Sequence, residues 1–208
     1  ERHQVPPQDT FGWHRPRRRP PFLFAPQDVE ALIRGARGMG PEGGLPPLVY
    51  STLLGLLACT GLRISEALDL QIGDLTAEGL VVRHGKFGKS RLLPLHPTTR
   101  KKLDDYLTRR CQEAGACEFL FVSRKGRKLH QNTIRHVLRR LVRSLGLVLR
   151  EAPPIPRLHD LRFYFANQAL ASCPGDHESV SRHVLALTTY LGHNDASYSY
   201  WYLEATPK

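Results

Sequence analysis

Residues 47–60 constrain this chain more than any other segment. Leu48-Val49-Tyr50-Ser51-Thr52-Leu53-Leu54-Gly55-Leu56-Leu57-Ala58 is apolar on nearly every face of a helix. Such a helix has no side to give to water, so other elements must wrap it. It is also too short to span a bilayer, and no run of about 18 apolar residues occurs in the chain. The fold is therefore built around a buried helix. The neighbouring sequence supplies the wrapping. Pro26 suits a first helical position, and Val29, Leu32 and Ile33 follow at helical spacing. Gly38, Gly40, Gly43 and Gly44 mark a loop, Gly61 ends the apolar helix, and residues 64–70 read as a short second one.

Strand signals are few. Leu80-Val81-Val82-Arg83 and Arg91-Leu92-Leu93-Pro94-Leu95 flank the glycine-punctuated His84-Gly85-Lys86-Phe87-Gly88-Lys89-Ser90, which reads as a hairpin tip. A short strand is expected at residues 119–122. Helices are expected at 98–112, 158–171 and 179–191. Between them, Ile134, Val137, Leu138, Leu141, Val142 and Leu145 form one apolar stripe of an amphipathic helix. The fold class is mostly α with a small antiparallel β-sheet (α+β). At 208 residues the chain buries roughly 70% of the surface its unfolded form exposes, enough for a core without staples.

Residues 1–24 differ from the rest. They are proline-rich, carry Arg15-Pro16-Arg17-Arg18-Arg19 and lack apolar periodicity. They read as a basic arm or interdomain linker, and residues 25–208 as the compact domain. The four cysteines form no Cys-x-x-Cys pair and have no histidine at zinc-finger spacing, so a reduced cytosolic setting without structural zinc is expected. Cys59, at the end of the apolar run, is expected in the core.

Thirty Lys and Arg against nineteen Asp and Glu give a net charge of +11, which points to a polyanionic partner, nucleic acid first. Residues 124–150 hold nine Lys and Arg and no acid. Arg135, Arg139 and Arg143 recur at four-residue steps, where like charges repel unless something anionic faces them. Four further segments carry reactive side chains. In Thr60-Gly61-Leu62-Arg63-Ile64-Ser65-Glu66, an arginine leaves a rigid glycine turn with an acid three residues on. Lys86 and Lys89 sit on the hairpin tip. His159-Asp160-Leu161-Arg162 places a histidine and an arginine on one helix face, a pairing suited to a phosphate. Leu191-Gly192-His193 is followed nine residues later by Tyr202. Singly these read as an ordinary Arg–Glu pair, a solvated loop, a helix face and an aromatic packing cluster.

In this order the segments resemble the signature of the tyrosine recombinase, or phage integrase, family, over about residues 20–207. The resemblance implies the catalytic-domain fold of that family. It implies catalytic roles for Arg63, Lys86, His159, Arg162, His193 and Tyr202, with Lys89 as the reserve lysine. Arg63 and Arg162 would clamp the non-bridging phosphate oxygens, and Tyr202 would attack phosphorus. His159 would take the tyrosine proton, Lys86 would protonate the leaving 5′-oxygen, and His193 would order the phosphate. The product would be a 3′-phosphotyrosyl link with a free 5′-hydroxyl, made without metal or other cofactor. Lys89, Arg91, Arg135, Arg139 and Arg143 are the expected DNA contacts.

The expected partner is double-stranded DNA, bound by a homotetramer on paired sites when the protein is full length. The expected setting is the cytoplasm, at the nucleoid, in a prokaryote or on a phage or mobile element. The sequence begins at Glu1, so the family's N-terminal core-binding domain is expected to be absent from this chain, and six residues follow Tyr202. This chain is therefore expected to be a fragment, monomeric without DNA. Type IB topoisomerase action and a non-catalytic DNA-binding module are the alternatives.

Overall fold

The computed structural model describes residues 20–41, 43–83, 90–115, 117–147, 155–173 and 177–192. Helices α1 (Pro26–Arg37) and α2 (Leu45–Thr60) lead into the short α3 (Ile64–Asp69). A 3-10 turn at Ile72–Asp74 precedes strands β1 (Leu80–Val82) and β2 (Arg91–Leu93). Helices α4 (Pro97–Ala114), α5 (Gln131–Ser144), α6 (Leu158–Ala171) and α7 (His177–Leu191) follow. No helix among the described residues is long and apolar enough to cross a membrane.

The all-round apolar segment forms α2, and α1, α4 and α6 pack against it. Leu53, Leu54, Leu56 and Leu57 are each 2% exposed or less. Burying each such side chain contributes about 1.5–3 kcal/mol. The helix starts two residues before Pro47, because prolines are tolerated in a first turn, where no N–H has an intrahelical partner. It stops at Gly61, which adopts φ +61° and donates its N–H to the Leu57 carbonyl at 3.0 Å. Cys59 is not a core residue. It is exposed, on the wall of an apolar groove of about 460 Å³ between α2 and α4, because the end of α2 turns that face outward. The groove walls still strip part of the water from its sulfur, which pushes the thiol pKa up, with smaller opposing hydrogen bonds, the first of them from Thr99.

The hairpin is antiparallel, with Leu80 opposite Leu93, Val81 opposite Leu92 and Val82 opposite Arg91. Residues 119–122 make no strand. Among the described residues they form only single bridges, Phe119 to Gln71 and Val122 to Lys128, too short for a ladder. Helix α5 buries Ile134, Val137, Leu138, Leu141 and Val142 as the stripe requires. Leu145 falls off it: the helix ends at Ser144, Leu145 takes the C-cap, and Gly146 turns the chain at φ +64°. A second small cluster, Phe163, Ala166, Leu187 and Leu191, joins α6 to α7. Residues 1–19 of the basic arm lie outside the described residues.

Candidate DNA-cleavage site

Two helix starts build the site. At α3, Arg63 is the N-cap, and Glu66, three residues on, accepts its backbone N–H at 3.0 Å and its Nη1 at 2.7 Å. At α6, Arg157 is the N-cap, and Asp160 accepts its backbone N–H at 2.7 Å and its Nη2 at 3.1 Å. In both, an acid at the third helical position satisfies an orphan donor and favours the positive end of the helix dipole. Each fixes an arginine at the mouth of one cleft.

That cleft has a volume of about 530 Å³. Arg63, Arg135, Arg139 and Arg157 line it, with His159, Gln131 and Ser65. Among the described residues, no carboxylate lines it. Two of the three arginines read from the α5 row thus meet Arg63 and His159 in space. Arg143, a turn further on, is exposed outside the cleft. His159 sits at the rim, and its pKa is lowered, first by burial and then by Arg162, with Asp160 opposing and Arg157 and Arg63 adding to the depression. That direction favours the neutral imidazole, the form with a nitrogen lone pair open to a proton.

Arg162 lies under the cleft instead of in its lining, at 1% exposure. Its Nη1 donates to the Gly61 carbonyl and its Nη2 to the Leu191 carbonyl, both at 2.7 Å. One guanidinium thus ties the loop before Arg63 to the end of α7. Arg91 differs from its expectation as a DNA contact. Its head turns inward onto both oxygens of Glu66 and onto the Tyr190 carbonyl. A buried carboxylate attracts it more than open solvent does. Lys86, Lys89, His193 and Tyr202 lie outside the described residues. Arg157 escaped the sequence reading, although its spacing to Asp160 repeats that of Arg63 to Glu66.

Burial alone would raise the Glu66 pKa, but bonds from Arg91 and Arg63 prevail and hold it at about 2, against 4.5 ordinarily. Because the folded value is the lower one, the stabilisation is complete above pH 4.5 and is lost as pH falls toward 2. The shift corresponds to about 3 kcal/mol. Between pH 6 and pH 2 the wild type is expected to lose about that much more stability than Glu66→Gln in urea unfolding. Equal pH dependence would show that Glu66 is not held ionised by the two arginines.

Comparison with known proteins bears on the family and the fold. A Sinorhizobium fredii protein named as an integrase/recombinase, y4rB, is 36% identical over 215 residues, covering all of this chain and 68% of that one. The tyrosine recombinase XerC of Rhodospirillum centenum is 36% identical over 72% of this chain and 42% of its own length. XerD of Mycobacterium tuberculosis is 32% identical over 74% and 50%. The chain thus spans about half the length of these two relatives. Among solved structures, XerA recombinase superposes with a TM-score of 0.69 at 22% identity, over 98% of this chain and 62% of that one. XerH, solved with its palindromic difH substrate in a post-cleavage complex, gives 0.68 at 22% identity, over 88% and 50%. These likenesses show the fold. The sequence model of the phage integrase family takes in residues 25–208, from the first turn of α1 past Tyr202, and the chain belongs to that family.

Proposed function

We propose that this chain is the catalytic part of a site-specific DNA recombinase, cutting and rejoining strands through Tyr202. The observation that carries this is the cleft whose described lining holds four arginines and a histidine and no carboxylate, in a chain of the phage integrase family. A phosphodiester needs that environment, since its negative charge must be offset before an oxygen nucleophile can approach. Arg63 stabilises the non-bridging oxygens in the transition state, and Arg162, bonded to the Gly61 and Leu191 carbonyls, holds the loop that presents Arg63. Arg157 adds a cation in the same cleft. The Tyr202 oxygen bonds to phosphorus, its proton passes to His159, and the bond to the 5′-oxygen breaks. Lys86 supplies the proton that the leaving oxygen takes up, and His193 hydrogen-bonds the phosphate. Rejoining is the reverse, so the phosphotyrosyl link conserves the bond energy.

Lys89, Arg135, Arg139 and Arg143 hold the duplex through its phosphates. The longer protein works as an assembly on paired sites, at the nucleoid of a bacterial cell and in the service of a mobile element. Lambda integrase, which shares the fold, has been solved as a tetramer on a Holliday junction, and the Tn1549 transposon integrase with transposon end DNA.

The test is a covalent adduct. The chain is incubated with nicked suicide duplexes of randomised sequence and run on denaturing gels. A band that survives denaturation, maps to the Tyr202 peptide and vanishes in Tyr202→Phe is the expected result. An adduct on another residue, or none from a longer protein that binds the same DNA, would overturn the reading.

A further inference from the structure

We propose that Arg91 is a positioning residue for strand cleavage, acting through Glu66 on Arg63 and through the Tyr190 carbonyl on the turn that leads to His193. The proposal rests on the recombinase reading above.

Arg91 opens β2, where pairing with Val82 fixes its backbone. From there its Nη2 donates to Glu66 Oε2 at 2.9 Å and its Nη1 to Oε1 at 3.2 Å. Its Nε donates to the Tyr190 carbonyl at 3.0 Å. The side chain is only 15% exposed. Glu66 in turn holds Arg63 by two bonds, so its two oxygens serve four donors from two arginines. That fills the acceptor capacity of a carboxylate and fixes its plane. The direction in which Arg63 leaves α3 therefore depends on Arg91.

Charge gives the arrangement a second consequence. Glu66 with Arg63 alone would be a neutral pair facing a phosphodiester. With Arg91 on the same carboxylate the group carries a net positive charge. Arg91 thus leaves the charge of Arg63 available to the phosphate, while its own head stays turned away from the cleft.

The other end of the guanidinium meets the last turn of α7. Gly192 adopts φ +65°. A Cβ placed there would lie 3.1 Å from Arg91 Nη1 and 3.3 Å from its Cζ. The arginine thus occupies the space a side chain at position 192 would need. One side chain at the hairpin base therefore touches the support of Arg63 and the start of the segment bearing His193.

The experiment compares wild type, Arg91→Gln, Arg91→Lys and Arg135→Gln. It measures single-turnover adduct formation on the suicide duplex, the salt dependence of DNA affinity, and thermal melting. Arg91→Gln is expected to slow adduct formation by about 10- to 100-fold, the scale of a small misplacement at a reacting centre. Its slope of log affinity against log salt should match wild type. Arg91→Lys, which keeps the charge but not the fork, should recover part of the rate. Arg135→Gln, losing a phosphate contact, should lower the slope by about 0.9. A similar slope change in Arg91→Gln would make Arg91 a DNA contact and overturn the proposal. So would an unchanged cleavage rate, or a rate loss that disappears well below the variant's melting temperature. A wild-type chain giving no adduct in the longer, DNA-bound form would overturn the recombinase reading itself, and the proposal with it.

Discussion

Arg162→Ala is expected to melt about 10 °C below wild type and to form adduct at least a hundredfold more slowly. The stability loss follows from where the guanidinium sits. It is 1% exposed and donates to the carbonyls of Gly61 and Leu191. Truncation leaves both acceptors unsatisfied in a site closed to solvent, at about 1–3 kcal/mol each. The space vacated by the side chain adds a cavity term that relaxation only partly offsets. A total of about 3–5 kcal/mol corresponds to roughly 10 °C for a chain of this length. The rate loss follows from the same two bonds, because they hold the loop before Arg63, and a misplacement of about 1 Å near a reacting centre costs about 100-fold. Arg162→Lys should fall between, since one ammonium cannot span both carbonyls in a planar fork. Melting by circular dichroism, with adduct assays at a temperature where all three proteins are folded, separates the effects. A variant that melts within about 2 °C of wild type would mean that the two carbonyl bonds contribute little.

The parts of this fold legible in the sequence are those set by local period. Helix α2 could only be buried, and the α5 stripe could only face the core, so their packing followed from side-chain spacing. Leu145 shows where period fails. It extends the stripe numerically, but the glycine after it ends the helix first, and backbone chemistry overrode the pattern. Residues 119–122 had the composition of a strand without a partner to pair with, and pairing is a non-local property. Cys59 was misplaced because an apolar run does not reveal which of its faces the last turn leaves open.

The site divides in the same way. Arg63, His159, Arg135 and Arg139 were legible as cations and a proton acceptor, and the fold brings them to one cleft. Arg91 was legible as a cation but not as an inward-facing one. Its Nε partner lies 99 positions away on α7, and nothing near β2 announces it. Arg157 had a local signal, the acid three residues later, which becomes informative only beside the same pattern at Arg63. Sequence thus identified the charges, while long-range hydrogen bonding decided which of them face the cleft.

Gly61→Ala tests how tightly the loop before Arg63 is held, and it should cost about 2–5 kcal/mol. Gly61 has φ +61°, where an alanine is disfavoured by about 1–2 kcal/mol. Its new Cβ would also stand 2.5 Å from Phe165 Cδ1 and 3.0 Å from Leu191 Cδ2. Crowding of that kind in a packed interior adds about 1–3 kcal/mol. Phe165 stacks on Tyr190 with ring centroids 5.4 Å apart, so it cannot swing aside without disturbing the turn that Arg91 grips. The same substitution six residues earlier is the control. Gly55 lies inside α2, and a Cβ there would meet only Ile33 Cδ1 at an ordinary 3.7 Å. Gly55→Ala should therefore be neutral or stabilise the helix by up to about 1 kcal/mol. Urea unfolding of the two variants reads the difference directly. If both shifted alike, the strain at Gly61 would be excluded as the reason for a glycine there. If only Gly61→Ala lost stability, the adduct rate of its folded fraction would tell whether the left-handed turn also aims Arg63.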